Sequence, residues 1–90
     1  MGTALLLYSR QGCCLCAGLE EKLRVLELPG VLQVVDVDND PELQVLYGLE
    51  VPVLAVARQG SAPQLLPRVP PRLMGERLKA WLNAQLQTLG

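Results

Sequence analysis

All three cysteines of this 90-residue chain fall in one short stretch, Cys13-Cys14-Leu15-Cys16, between an apolar run and an amphipathic one. Cysteines so close together cannot tie distant parts of a chain, so the fold must rest on a hydrophobic core rather than on a disulfide framework. The cluster also sits where a strand hands over to a helix. Thr3 to Tyr8 is apolar and is followed by Ser9, Arg10, Gln11 and Gly12, the pattern of a buried strand entering a turn. From Cys14 to Leu28 the residues Leu15, Leu19, Leu23 and Leu26 recur at steps of three and four, with Glu20, Glu21, Lys22 and Arg24 between them. That spacing predicts an amphipathic helix, stopped by Pro29 and Gly30.

The remaining elements follow from the same signals. Val31 to Val37 is rich in β-branched residues and reads as a second strand buried on both faces. Asp40-Pro41-Glu42 supplies an N-cap, a proline at the first helical position and an acid in the first turn, and Gly48 supplies a stop, so a short helix is expected over Pro41 to Tyr47. Val53 to Ala57 and Gln64 to Leu66 read as a hairpin turning at Gly60. After the breaker segment Pro67 to Pro71, a last helix is expected from about Pro71 to Gln87, with Met74, Leu78, Trp81, Leu82 and Leu86 on its buried face. The order β-α-β-α-β-β-α makes an α/β chain of four strands and three helices. Its length and the lack of repeats or a linker predict one domain over residues 1–90.

Composition narrows the function. Half the residues are hydrophobic and Phe is absent, so the core is expected to be Leu and Val. With a net charge of −1 and scattered basic residues, nothing resembles the cationic stripe that binds nucleic acid. Ala4 to Leu7 is too short to span a bilayer and is not framed as a signal peptide. The expectation is a soluble, cytoplasmic monomer, with no nucleic-acid or membrane partner. The absence of His removes Cys-His nucleophile pairs and His-based zinc hydrolysis. Asp36, Asp38 and Asp40 alternate as in a calcium loop, but Pro41 stands where the glycine is needed and Tyr47 where the bidentate Glu belongs.

The chemistry is expected at Cys13 and Cys16, a C-x-x-C at a helix N-terminus. Free backbone N–H groups and the positive end of the helix dipole favour a thiolate there, so Cys13 reads as the nucleophile. Cys16, nearly one turn on, reads as the thiol that resolves a mixed disulfide. Cys14 points elsewhere and reads as a bystander. Two other readings stay open: a binding module with inactive cysteines, and metal or iron-sulfur binding through the cluster. A second feature is Val51-Pro52, a proline entering an apolar strand. A cis bond there would turn the polar groups of Val51 toward an extended substrate beside the cysteines, whereas a trans proline would simply start the strand.

The stretch Leu7-Tyr8-Ser9-Arg10-Gln11-Gly12-Cys13-Cys14-Leu15-Cys16, with Val51-Pro52 further along, resembles the glutaredoxin-like branch of the thioredoxin superfamily. The resemblance implies a thioredoxin fold with a four-stranded mixed sheet and thiol-disulfide oxidoreductase activity. It implies that Cys13 attacks, that Pro52 is cis, and that Arg10 helps bind the carboxylate of glutathione. Val51 and Pro52 then join Arg10 as substrate-binding residues. No cofactor or metal is expected, glutathione being a co-substrate, and the partner is glutathione or a disulfide-containing protein. The chain departs from glutaredoxins between its cysteines, where Cys14-Leu15 replaces Pro-Tyr. It departs again before the last helix, where Pro70-Pro71-Arg72-Leu73-Met74-Gly75 replaces Gly-Gly and an acid.

Overall fold

A computed structural model describes residues 3–26, 31–58, 60 and 62–88. In chain order the elements are β1 (Thr3–Ser9), α1 (Cys14–Arg24), β2 (Val31–Asp36), a 3-10 helix (Val37–Asn39), α2 (Pro41–Tyr47), β3 (Val53–Arg58), β4 (Gln64–Leu65) and α3 (Gly75–Thr88). The strands form one sheet in the order β2-β1-β3-β4. β1 runs parallel to β2, with Ser9 beside Asp36, and antiparallel to β3, with Tyr8 beside Val53. The end of β1, the end of β2 and the start of β3 therefore meet along one edge. The turns carrying the cysteines and Pro52 are placed together by strand register alone.

Side chains alternate across a strand, so β1 and β3, paired on both sides, feed two cores. Leu7 on β1 and Leu54 and Val56 on β3 pack with Leu19 and Leu23 of α1 and with Leu78 and Leu82 of α3. Leu6, Tyr8 and Ala55 face the other way, against Val37, Leu43 and Tyr47. Leu7, Leu23, Leu78 and Leu82 are fully buried, each contributing roughly 1.5–3 kcal/mol of transfer free energy. Tyr8 stacks on Tyr47 with ring centroids 4.9 Å apart, and burial, with Tyr47 beside it, pushes the Tyr8 hydroxyl pKa up.

Six expectations change. β2 is an edge strand, not one buried on both faces: Val31 is 68% exposed and Gln33 is exposed. Its strand ends at Asp36, and Val37, wholly buried, belongs to the 3-10 helix. Helix α1 ends at Arg24, because the Leu26 N–H tightens onto Leu23 and returns the Leu26 side chain to the core. The stretch from residue 27 to Pro29 and Gly30, where the helix was expected to stop, lies outside the described residues. α3 begins at Gly75 rather than Pro71: the Leu73 N–H closes a turn onto Pro70, and Gly75 enters at φ +56°, a left-handed backbone that glycine adopts without cost. Met74 thus precedes the helix and is 61% exposed instead of joining its buried face. Leu66 lies just past β4, yet its N–H still donates to the Leu54 carbonyl and its side chain is buried.

Candidate active site

The turn from Arg10 to Cys13 joins β1 to α1. The Cys13 N–H donates to the Arg10 carbonyl at 3.3 Å, and Gly12 takes φ +80°, a conformation that a side chain would strain. Cys13 is the N-cap of α1, and its sulfur accepts the Cys16 N–H at 3.2 Å. A thiolate at that position receives a backbone hydrogen bond and the positive end of the helix, both of which favour the charged form. Cys13 and Cys16 are joined as a disulfide, with Cα atoms 5.2 Å apart. The two sulfurs differ in access: Cys13 is half-buried, while Cys16 is only 1% exposed. Cys14 is a free, exposed thiol.

The Val51-Pro52 bond is cis. The Val51 N–H donates to the Tyr47 carbonyl at 3.0 Å, so one of the two polar groups expected to meet a substrate is used within the chain. Arg10 is also engaged. Its Nε and Nη2 donate to the two carboxylate oxygens of Asp38, at 3.2 and 2.9 Å, and its Nη1 donates to the Gly48 carbonyl at 3.0 Å. The Arg10 guanidinium and the Gln44 amide hold the Asp38 carboxyl below the usual carboxylate range.

Two clefts flank the start of α1. One, of about 240 Å3, lies toward Pro52 and is lined by Cys14, Leu15, Lys22, Pro52, Arg68 and Val69. Leu15, expected on the apolar face of α1, is 62% exposed and forms part of this wall. Lys22 crosses to the Pro71 carbonyl at 2.8 Å and so ties α1 to the segment before α3. The second cleft, of about 440 Å3, is lined by Arg10, Cys13, Cys14, Glu20, Val34 and Asp36, among others. The sequence does not mark Lys22 or Arg68 as part of a site, since a lone surface charge carries no local signal, and it marks Asp38 only within the alternating acids of a rejected calcium loop. No group of three His, Cys, Asp or Glu that could hold a metal ion occurs among the described residues. None of the helices described is long and apolar enough to cross a membrane.

A four-stranded mixed sheet covered by three helices, with a C-x-x-C capping the first helix opposite a cis proline, defines a thioredoxin fold. Within that class, the chain belongs to the family of the Glutaredoxin-like domain (DUF836), which matches residues 4–83. Among solved structures it is similar to the structural-genomics target protein XcR50 from X. campestris, at 36% identity and a TM-score of 0.56, over 89% of this chain and 96% of that one. It shares its fold with a malarial protein, at 15% identity and a TM-score of 0.59, over 96% of this chain and 99% of that one. It also shares it with the J-Trx1 fragment of ERdj5, at 17% identity and a TM-score of 0.59, over 98% of this chain and 43% of that one. No curated protein matches the chain.

Proposed function

We propose that the chain is a thiol-disulfide oxidoreductase of glutaredoxin type, with Cys13 as nucleophile and Cys16 as resolving thiol. The observation that carries this reading is the unequal access of two bonded sulfurs at a helix N-terminus. An external disulfide can reach Cys13 but not Cys16, so the first attack belongs to Cys13. The Cys13 thiolate forms a bond to one substrate sulfur and the other leaves as a thiolate. The Cys16 thiolate then attacks Cys13, closes the Cys13–Cys16 bond and releases the second substrate thiolate. Two electrons pass to the substrate, and two external thiols, such as two glutathione molecules, return the protein to its dithiol form.

Pro52 lines the cleft in which the substrate lies, and the Val51 carbonyl is the backbone group left to pair with it, the Val51 N–H being bonded to Tyr47. The anionic termini of glutathione suit the Lys22 and Arg68 rim of the adjoining cleft, and an acidic segment of a protein disulfide would suit it equally. The test is the rate at which purified protein reduces a glutathione mixed disulfide with glutathione as reductant. Turnover that disappears in Cys13→Ser, with Cys16→Ser accumulating a mixed disulfide, supports the assignment. Equal loss from Cys14→Ser would overturn the roles given to the cysteines.

A further inference from the structure

Arg10 connects two turns that are far apart in sequence. Its carbonyl anchors the turn that presents Cys13, while its side chain leaves that turn altogether. The guanidinium makes a two-pronged pair with Asp38 in the 3-10 helix and donates to Gly48, the C-cap of α2. Both acceptors are themselves held. Asp38 Oδ1 also accepts the Gln44 amide of α2 at 2.9 Å, and the Asp38 N–H donates to Asp36 at 2.9 Å. Gly48 packs so closely on the Gln44 carbonyl that an added Cβ would collide with it. Beyond Gly48, the Glu50 and Val51 N–H groups both close onto the Tyr47 carbonyl, at 2.9 and 3.0 Å, and lead directly into Pro52. The Arg10 side chain therefore joins the Cys13 turn to the compact corner that carries the cis proline.

We propose that Arg10 is a positioning residue that, with Asp38, sets the gap between Cys13 and the Val51-Pro52 corner in which a substrate disulfide is aligned. The proposal rests on the thiol-disulfide exchange reading above. Exchange requires the attacking sulfur to approach along the axis of the bond it breaks, so a small change in this gap lowers the rate without altering the thiol itself. Arg10 acts through the geometry of the gap, not by contact with a substrate carboxylate, and that distinction has a sign. If Arg10 bound the carboxylate directly, removing Asp38 would release the guanidinium and improve the reaction of an anionic substrate. If Arg10 sets the gap, removing Asp38 slows every disulfide.

The experiment uses a Cys14→Ser, Cys16→Ser parent, in which Cys13 is the single thiol. Formation of the mixed disulfide is timed with oxidised glutathione, which is anionic, and with bis(2-hydroxyethyl) disulfide, which is uncharged. Arg10→Met and Asp38→Asn are expected to slow both probes, by roughly tenfold for Arg10→Met. The pH profile of Cys13 alkylation by iodoacetamide should stay where it is in the parent. Asp38→Glu, which keeps a carboxylate within reach of Arg10, should recover most of the lost rate, separating loss of the pair from loss of fold. A faster reaction of Asp38→Asn with oxidised glutathione, or variants equal to an active parent on both probes, overturns the positioning role and leaves the exchange reading intact. A parent that reacts with neither probe faster than glutathione itself overturns the exchange reading and the positioning role with it.

Discussion

The two clefts beside α1 share the exposed Cys14 as a wall but differ in charge and in what holds them. Toward Pro52, Lys22 and Arg68 line a smaller cleft, and Arg68 has no partner among the described residues. On the other side, Glu20 and Asp36 line a larger one, and its cation, Arg10, is already paired with Asp38. Glu20 is likewise paired, with Arg24 at 2.8 Å. A charge satisfied within the chain has little left to offer a ligand, whereas an unpaired one at a rim can steer one. The difference supports the Pro52 side as the proposed docking place of an anionic disulfide, while the Arg10 side, which Cys13 also lines, has its cation committed to Asp38.

The largest disturbance to both clefts together should come from Leu23→Ala. Leu23 is wholly buried and seats α1 on the sheet; its truncation should cost about 2–5 kcal/mol in denaturant unfolding. A smaller and one-sided effect is expected from charge. Arg68→Glu should raise KM for a glutathione mixed disulfide roughly fivefold, as expected for one exposed charge worth about 1 kcal/mol. Glu20→Lys, across the helix, should change KM less than twofold, on the order of the scatter for a surface charge; equal effects would erase the distinction between the clefts. Cys14→Ser, which alters a wall common to both, should change turnover by less than about twofold, since Cys14 neither caps the helix nor bonds to another cysteine.

The smallest effect is the pH dependence of the Arg10 pair. Because the Arg10 guanidinium first, and Gln44 second, depress the Asp38 pKa, the stabilisation is fully present above the ordinary carboxylate value. It is lost as pH falls through the lower, folded value. The stability difference between the wild-type chain and Asp38→Asn should therefore be constant near neutrality and shrink below about pH 4. A difference that grew on acidification would show that the carboxylate is not held in its charged form.

Local signals carried much of this architecture. Asp40 caps α2 by accepting the Glu42 N–H at 3.0 Å, Pro41 opens the helix and Gly48 closes it, so Pro41–Tyr47 was legible residue by residue. The start of α1 at Cys14 was equally plain, because a C-x-x-C after a glycine turn is a local pattern. The boundaries of α3 were not. A proline pair is compatible with the first turn of a helix and with a turn preceding it, and what decides is whether the chain is free to continue in line. The edge position of β2 was also hidden, since a run of valines looks the same whether one neighbour or two will pair with it.

The order of residues alone places two cysteines three positions apart at a strand-to-helix junction, set by the periodicity on either side, and so names the candidate redox pair. What surrounds them depends on how the strands pair. Arg10 meets Asp38 across 28 positions and Gly48 across 38, and both contacts exist because parallel pairing of β1 with β2 and antiparallel pairing of β1 with β3 bring three strand ends to one edge. A pattern of adjacent residues encodes a cap or a helix face, since those interactions reach only a few residues along the chain. The partner of a guanidinium is set by strand register, which becomes definite only when the two faces of the sheet are buried together.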